Sequence, residues 1–311
     1  MPKRKKTPRK KKKYSALIFV LFIIVLIGFG AYYTYRFFSL STWDGKNQIN
    51  LVLAGKSTVA VISFLPSENN LKIVNIPQGA LMETAGGYGK YRAEALYLLD
   101  QIEKKNGRLL MGSFQELLLL PIDGWIYYPE FFPEANNPEL VLKNLKETVR
   151  YREKSNLSNW DLWRLIWRLR SVDPARMKTI NLEKIGAVLE QDLPDGTTSI
   201  QLDILLIEDS LGDQFIDPTV RQENVTVSVV NASGISGQAT KGGKIIERMG
   251  GRLIKIGDHS DSALNGCEIR SLHTPGNSYT MQRLIKVFGC VWKNESLEGN
   301  RADIILLLGN R

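Results

Sequence analysis

Residues 14–35, YSALIFVLFIIVLIGFGAYYTY, run for 22 positions without a charge. At 1.5 Å per residue such a helix is about 33 Å long, enough to cross a hydrocarbon core of about 30 Å. Tyr14 marks one edge, and Tyr32, Tyr33 and Tyr35 mark the other, where an aromatic belt belongs. Just before the run, residues 1–13 hold nine Lys and Arg and no acid. The positive-inside rule puts that tail in the cytoplasm and residues 36–311 outside. A cleaved signal peptide would carry an apolar region of about 7–15 residues and a small-residue cleavage site. This run is longer, and bulky aromatics follow it. The expectation is an uncleaved, single-pass, N-in anchor in the cell membrane.

The formal charge of +9 is the charge of that tail. Nine of the 41 Lys and Arg lie there, and the other 32 balance 32 Asp and Glu. A globally basic nucleic-acid-binding domain is not expected, nor a nucleic-acid partner. With 43% hydrophobic and 23% charged residues, the remainder should fold. The two cysteines, Cys267 and Cys290, fall on the outer side, where disulfides persist. A bridge between them is one reading and two small buried residues the other. With His259 and His273 the only histidines, no zinc site is expected.

Residues 36–47 read as an exit linker. Runs rich in β-branched residues at 49–54, 58–64 and 71–76 predict strands. Helices are predicted near 90–105, 111–120, 138–152, 158–172 and 181–191, with strands at 122–128 and 198–208. Such mixing predicts one α/β sandwich domain over 48–208. Residues 209–224 are acidic and polar and contain Pro218, so they read as an interdomain linker. From 225 to 311 the pattern restarts as strand, helix, strand, strand, helix, strand, a small βαββαβ domain. The turn Asn231–Gly237, with Asp258 after the next strand, imitates a dinucleotide-binding unit. Its spacing is GxxG rather than GxGxxG, so a tight βα turn is the plainer reading.

The C-terminal segment VTVSVVNASGISGQATKGGKIIERMGGRLIKIG, closed by ADIILLLG, resembles the LytR C-terminal domain. INLVLAG at 49–55, TVAVISFLPSENNLKIVNIP at 58–77, GKYRAEALYLLD at 89–100 and LLLLPIDGWIYY at 117–128 resemble strands and a helix of the LytR-CpsA-Psr family. That resemblance implies an envelope protein of a bacterial cell wall. It also implies the family's activity, transfer of a phosphoglycan from a polyprenyl-pyrophosphate carrier to peptidoglycan. Such transfer needs arginines and a divalent metal held by carboxylates to neutralise the pyrophosphate.

The chain departs from the family at those points. Gly55-Lys56-Ser57-Thr58 stands where the family has a carboxylate-bearing loop. The family's Ile-Pro-Arg-Asp appears as Ile76-Pro77-Gln78-Gly79, so Gln78 and Gly79 lack the charge and the carboxylate. Arg150-Tyr151-Arg152 resembles the family's Arg-x-Arg, and Asp161-Leu162-Trp163-Arg164 its Asp-x-x-Arg. Arg164 and Arg168 share a stripe of one helix beside Trp160, Trp163 and Trp167. Arg150, Arg152, Arg164 and Arg168 are therefore the candidates for a phosphate or lipid headgroup, against a plain reading as a solvated helix edge. No catalytic residue can be named, and no metal or cofactor is expected. Three functions follow. One is a catalytically degenerate envelope protein that binds a polyprenyl phosphate, wall glycan or envelope partner. Another is an active phosphotransferase using Mg²⁺ or Mn²⁺ on acids such as Glu83, Glu94 or Asp123. The last is a structural or regulatory scaffold.

Overall fold

A computed structural model of the chain describes residues 12–39, 41–132, 137–192, 198–258, 264–295 and 301–310. His259 and the basic tail up to residue 11 lie outside the described residues. Helix α1 (Lys12–Ser39) carries the uncharged run. Between Ile18 and Tyr35 its mean hydropathy is 2.2, and none of that window is buried within the protein. It is long and apolar enough to cross a membrane.

After residues 41–48 come β1 (Ile49–Ala54), β2 (Val59–Leu65) and β3 (Asn70–Ile76), then the short strands β4 (Ala80–Glu83) and β5 (Lys90–Arg92). Helices α2 (Leu96–Ile102) and α3 (Arg108–Leu118) lead to β6 (Gly124–Tyr127). Helix α4 (Pro138–Tyr151), β7 (Lys154–Ser155) and α5 (Asn159–Leu169) follow. This part closes with β8 (Lys178–Asn181), β9 (Val188–Asp192), β10 (Thr198–Leu202), α6 (Ile204–Leu211) and α7 (Pro218–Glu223).

Six of these strands form one mixed sheet in the order β7-β6-β1-β2-β3-β8. Its register is fixed by pairs such as Ile49 opposite Phe64 and Ala54 opposite Val59. Both faces are covered, so β1 and β2 are buried along their whole length. Val52, Val61 and Val74 pack toward α2, α3 and α6. Leu51, Ile62 and Ile73 pack toward α4 and α5. A second, four-stranded sheet, β5-β4-β10-β9, contributes Ala80, Met82 and Ile200 to the same core as α2, α3 and α6. The architecture is α/β with mixed sheets, as expected.

Four local expectations are corrected. The strand expected at 198–208 ends at Leu202, where Asp203 caps helix α6, and the helix expected at 90–105 begins only at Leu96, after β5. The predicted helix at 181–191 is a turn followed by β9, because Gly186 sits at φ +77 and β9 pairs antiparallel with β10. The polar linker at 209–224 is largely ordered structure: α6 ends within it, a 3-10 turn follows, and α7 completes it. Its composition hid Leu211, Phe215 and Val220, which are almost fully buried. Pro218 occupies the first turn of α7, where a missing N–H is harmless.

The C-terminal unit contains β11 (Thr226–Asn231), α8 (Gln238–Arg248), β12 (Arg252–Asp258), β13 (Cys267–Arg270), α9 (Tyr279–Phe288), β14 (Val291–Lys293) and β15 (Ile304–Leu308). The sheet order is β12-β11-β15-β13-β14. The expected βαββαβ order is present, with β14 as an added edge strand. Cys267 and Cys290 are joined as a disulfide, with Cα atoms 4.4 Å apart. In the turn after β11, Asn231 Nδ2 donates to the Ile235 carbonyl and to Asp258 Oδ1, each at 3.1 Å. The apparent ribose-binding acid is thus tied into the turn.

Candidate functional site

The positions singled out by the resemblance do not converge on one ligand. Gln78 is exposed in the turn before β4. The Gly79 N–H donates to both carboxylate oxygens of Glu94 at 3.2 Å, so Glu94 caps that turn. Glu83 is exposed and 4.0 Å from Lys90. Asp123 accepts from the Asn50 N–H at 2.8 Å and faces Arg283 at 3.3 Å and Lys286 at 3.5 Å, both on α9. Each of these acids therefore has a structural partner. Among the described residues no group of three His, Cys, Asp or Glu side chains is placed to share a metal ion.

The four arginines meet four different surroundings. Arg150 ends α4, exposed, with its guanidinium 5.5 Å from the Tyr151 ring. Arg168 is exposed on α5. Arg164 turns toward residues 41–43, where Nη1 donates to the Trp43 carbonyl and lies 3.4 Å from Ser41 Oγ. Asp161, fully buried, accepts from Ser41 Oγ at 2.6 Å, the Thr42 N–H at 3.0 Å and the Trp43 N–H at 3.3 Å. The Asp-x-x-Arg of α5 thus grips the chain where it leaves α1.

Arg152 lines a cleft. This cleft of about 780 Å³ is lined by Gln101 at the end of α2, Asn106 after it, Trp125 on β6, residues 152–157 around β7, and Asn159 and Leu162 on the first turn of α5. Arg152 Nη1 donates to the Val149 carbonyl at 3.1 Å, and Nη2 to Asn159 Oδ1 at 3.0 Å. Both acceptors are neutral, and burial holds the guanidinium below its ordinary pKa. Lys154 Nζ, the second cation on the rim, donates to Gln101 Oε1 at 3.2 Å.

Trp125 forms the cleft wall. Its backbone N–H donates to Asn156 Oδ1 at 2.7 Å, while its indole N–H is buried with no acceptor. Gly107 makes room for the ring: at φ +86, a Cβ there would lie 1.9 Å from Trp125 Nε1. Behind it, Tyr97 lies 5.6 Å from the indole and stacks on Tyr127 at 3.8 Å. Burial, followed by Tyr127, Glu153 and Asp100, pushes the Tyr97 phenol up to about 12. Two cations and several amides, beside the one acid Glu153, line the cleft and offer donors suited to phosphate oxygens and sugar hydroxyls. Of the residues lining this cleft, the sequence reading named Arg152 and not Trp125, Lys154, Asn156 or the other amides, which come from four separate segments.

No family profile matches the sequence, and no curated protein matches it. In structure the chain resembles LytR-CpsA-Psr proteins. Bacillus subtilis TagT, a LytR-CPS2A-psr family protein with bound octaprenyl pyrophosphate lipid, is 14% identical with a TM-score of 0.41. That match covers 55% of this chain and 92% of TagT. Bacillus subtilis TagV is 12% identical with a TM-score of 0.38, over 54% of this chain and 95% of its own. An Enterococcus faecalis protein described as a transcriptional regulator is 11% identical with a TM-score of 0.41, over 66% of this chain and 88% of its own.

Proposed function

We propose that this is a single-pass, membrane-anchored envelope protein whose outer domains bind the anionic headgroup of a polyprenyl-phosphate-linked glycan in the Arg152–Lys154 cleft. The observation that carries the reading is Arg152: a half-buried cation, at the mouth of a large cleft, whose two hydrogen bonds both go to neutral atoms. A desolvated charge without a counter-charge is costly, and an anionic ligand relieves that cost. Location supports the same reading. Asn159 and Leu162 face the cleft from the helix turn whose Asp161 holds Ser41, two residues past the end of α1. The cleft and the chain's exit from α1 thus share the first turn of α5.

The proposed role is binding without metal-dependent transfer. Gln78 and Gly79 offer no carboxylate, Glu94 caps a backbone N–H, and Asp123 is matched by Arg283 and Lys286. A hard cation wants several oxygen ligands, and these residues do not assemble such a set. The test is binding of polyprenyl pyrophosphate to the full chain in lipid nanodiscs, with and without Mg²⁺, for wild type and Arg152→Ala. Charge-assisted hydrogen bonds contribute about 1.5–3 kcal/mol, so the variant should bind at least about tenfold more weakly. Binding should not depend on Mg²⁺. Equal binding by the variant would overturn the site, and Mg²⁺-dependent binding would overturn the metal-free reading.

A further inference from the structure

Helix α5 turns an aromatic and cationic face to the outside. Trp163 and Trp167 are 52% and 58% exposed. With Trp160 they form a ladder, ring centroids 4.9 and 5.8 Å apart and planes within 20°. Arg164 lies 4.7 Å over the Trp160 ring, and Arg170 lies 5.5 Å over Trp167. The only acid between Trp160 and Arg170 is Asp161, which is buried under the linker. Two half-exposed indoles in water forfeit much apolar burial, whereas a bilayer interface accepts an indole's flat apolar body together with its polar edge.

The tether decides where this face lies. Asp161 and Arg164 fasten Ser41–Trp43 onto α5, and α1 itself touches α5. Lys286 of α9 adds a bond to the Thr42 carbonyl at 3.1 Å. From Tyr35 to Ser39 the helix rises about 6 Å. From Ser39 to Ser41 the chain reaches at most about 7 Å. The first residues gripped by α5 are therefore no more than about 13 Å beyond the end of the apolar span. We infer that the Trp163–Trp167 face of α5 rests in the outer headgroup layer of the membrane that α1 crosses, with Arg168 and Arg170 against lipid phosphates. The inference rests on the anchoring proposed above. Tryptophan belongs at that depth, and arginine pairs with phosphate through its planar fork.

The experiment uses the full chain reconstituted into phosphatidylcholine–phosphatidylglycerol vesicles, with and without lipids brominated near the headgroup end of the acyl chain. Flotation reports anchoring, and quenching of tryptophan emission reports docking. Trp43 and Trp125 are buried in the protein and stay constant across variants. Wild type should float and be quenched. Trp163→Phe/Trp167→Phe should float equally and lose more than half of the quenched emission, whereas Trp292→Phe, on β14, should behave as wild type. Flotation without quenching, or equal quenching in the double variant, would overturn the docking and leave the face to a protein partner. Failure to float would overturn the anchor and the docking with it.

Discussion

Arg283 and Arg152 are both drawn out of water, and their surroundings treat them in opposite ways. Arg283 is 4% exposed where α9 meets the six-stranded sheet. Its Nη1 donates to Asp217 at 2.6 Å, to the Tyr279 hydroxyl at 2.7 Å and to the Gln48 carbonyl at 2.8 Å. Burial pulls its pKa down, but Asp123, Tyr279 and Asp217 outweigh burial and hold it above the ordinary value. Arg152 meets burial with only a carbonyl and an amide oxygen to answer it. The first charge is matched inside the protein and holds two parts of it together. The second makes no ion pair with a carboxylate among the described residues, only hydrogen bonds to two neutral oxygens. Burial of a cation is therefore a poor guide to function; the character of its acceptors separates the two.

The largest effect should come from breaking the matched set. Arg283→Ala leaves Asp217 buried beside a phenol and strands Asp123 with Lys286 alone. Removing one partner of a buried ion pair costs about 3–5 kcal/mol. Urea unfolding of the full chain in detergent should show that loss, and a change below about 1 kcal/mol would erase the contrast with Arg152. Next in size is the disulfide. Cys267 and Cys290 are 23 residues apart, and closing such a loop stabilises by about 3 kcal/mol in the chain-entropy picture. Cys267→Ser/Cys290→Ser should lower the unfolding midpoint and speed amide exchange in β13 and β14, while the cleft around β7 keeps its protection.

A smaller, pH-dependent effect belongs to Glu223, which ties α7 to the start of α9. Burial pushes its carboxyl up, but hydrogen bonds from Thr280, Tyr279 and Ser278 outweigh burial and hold its pKa below the usual carboxylate range. A carboxylate depressed in the folded state adds stability above its unfolded pKa of about 4.3, and that stability is lost as pH falls through the lower folded value. Melting temperatures measured from pH 7 down to pH 3 should therefore converge for wild type and Glu223→Gln at the acid end. At neutral pH the variant should be weaker by about 1 kcal/mol, the usual cost of losing a helix N-terminal acceptor. Parallel curves across the range would remove Glu223 from the account of this junction.

Much of the fold was legible because periodicity reports local burial. The strands at 49–76 read as apolar runs, and the C-terminal alternation of strand and helix was plain. The misread segments are those where tertiary context overrules composition. Residues 181–191 have helical spacing in Leu182, Ile185 and Val188, yet Gly186 turns the chain and β10 captures Val188–Asp192 as a strand. Residues 209–224 are polar on average, yet Leu211, Phe215 and Val220 are buried. The site was less legible than the fold. Arg152 carried a motif, but Asp161 and Arg164 carried one equally well and serve the linker instead. Gln101, Asn106, Trp125 and Asn156 have no mutual spacing in the chain, since only packing of α2, β6 and β7 brings them to one wall.

The smallest expected change in stability is the most informative about the comparison. Arg152→Ala removes a desolvated charge and two hydrogen bonds to neutral atoms. Those terms oppose each other: losing the bonds costs about 1 kcal/mol each, while relieving an unpaired, half-buried cation returns a similar amount. Unfolding free energy should move by less than about 1 kcal/mol in either direction, against several for Arg283→Ala. Arg152→Lys sharpens the point, because it keeps the charge but loses the planar fork that reaches two oxygens at once. Stability should again hold while headgroup binding weakens. If Arg152→Ala instead destabilises the chain as much as Arg283→Ala does, the guanidinium is as structural as its counterpart. The cleft would then lose its reason to hold an anion.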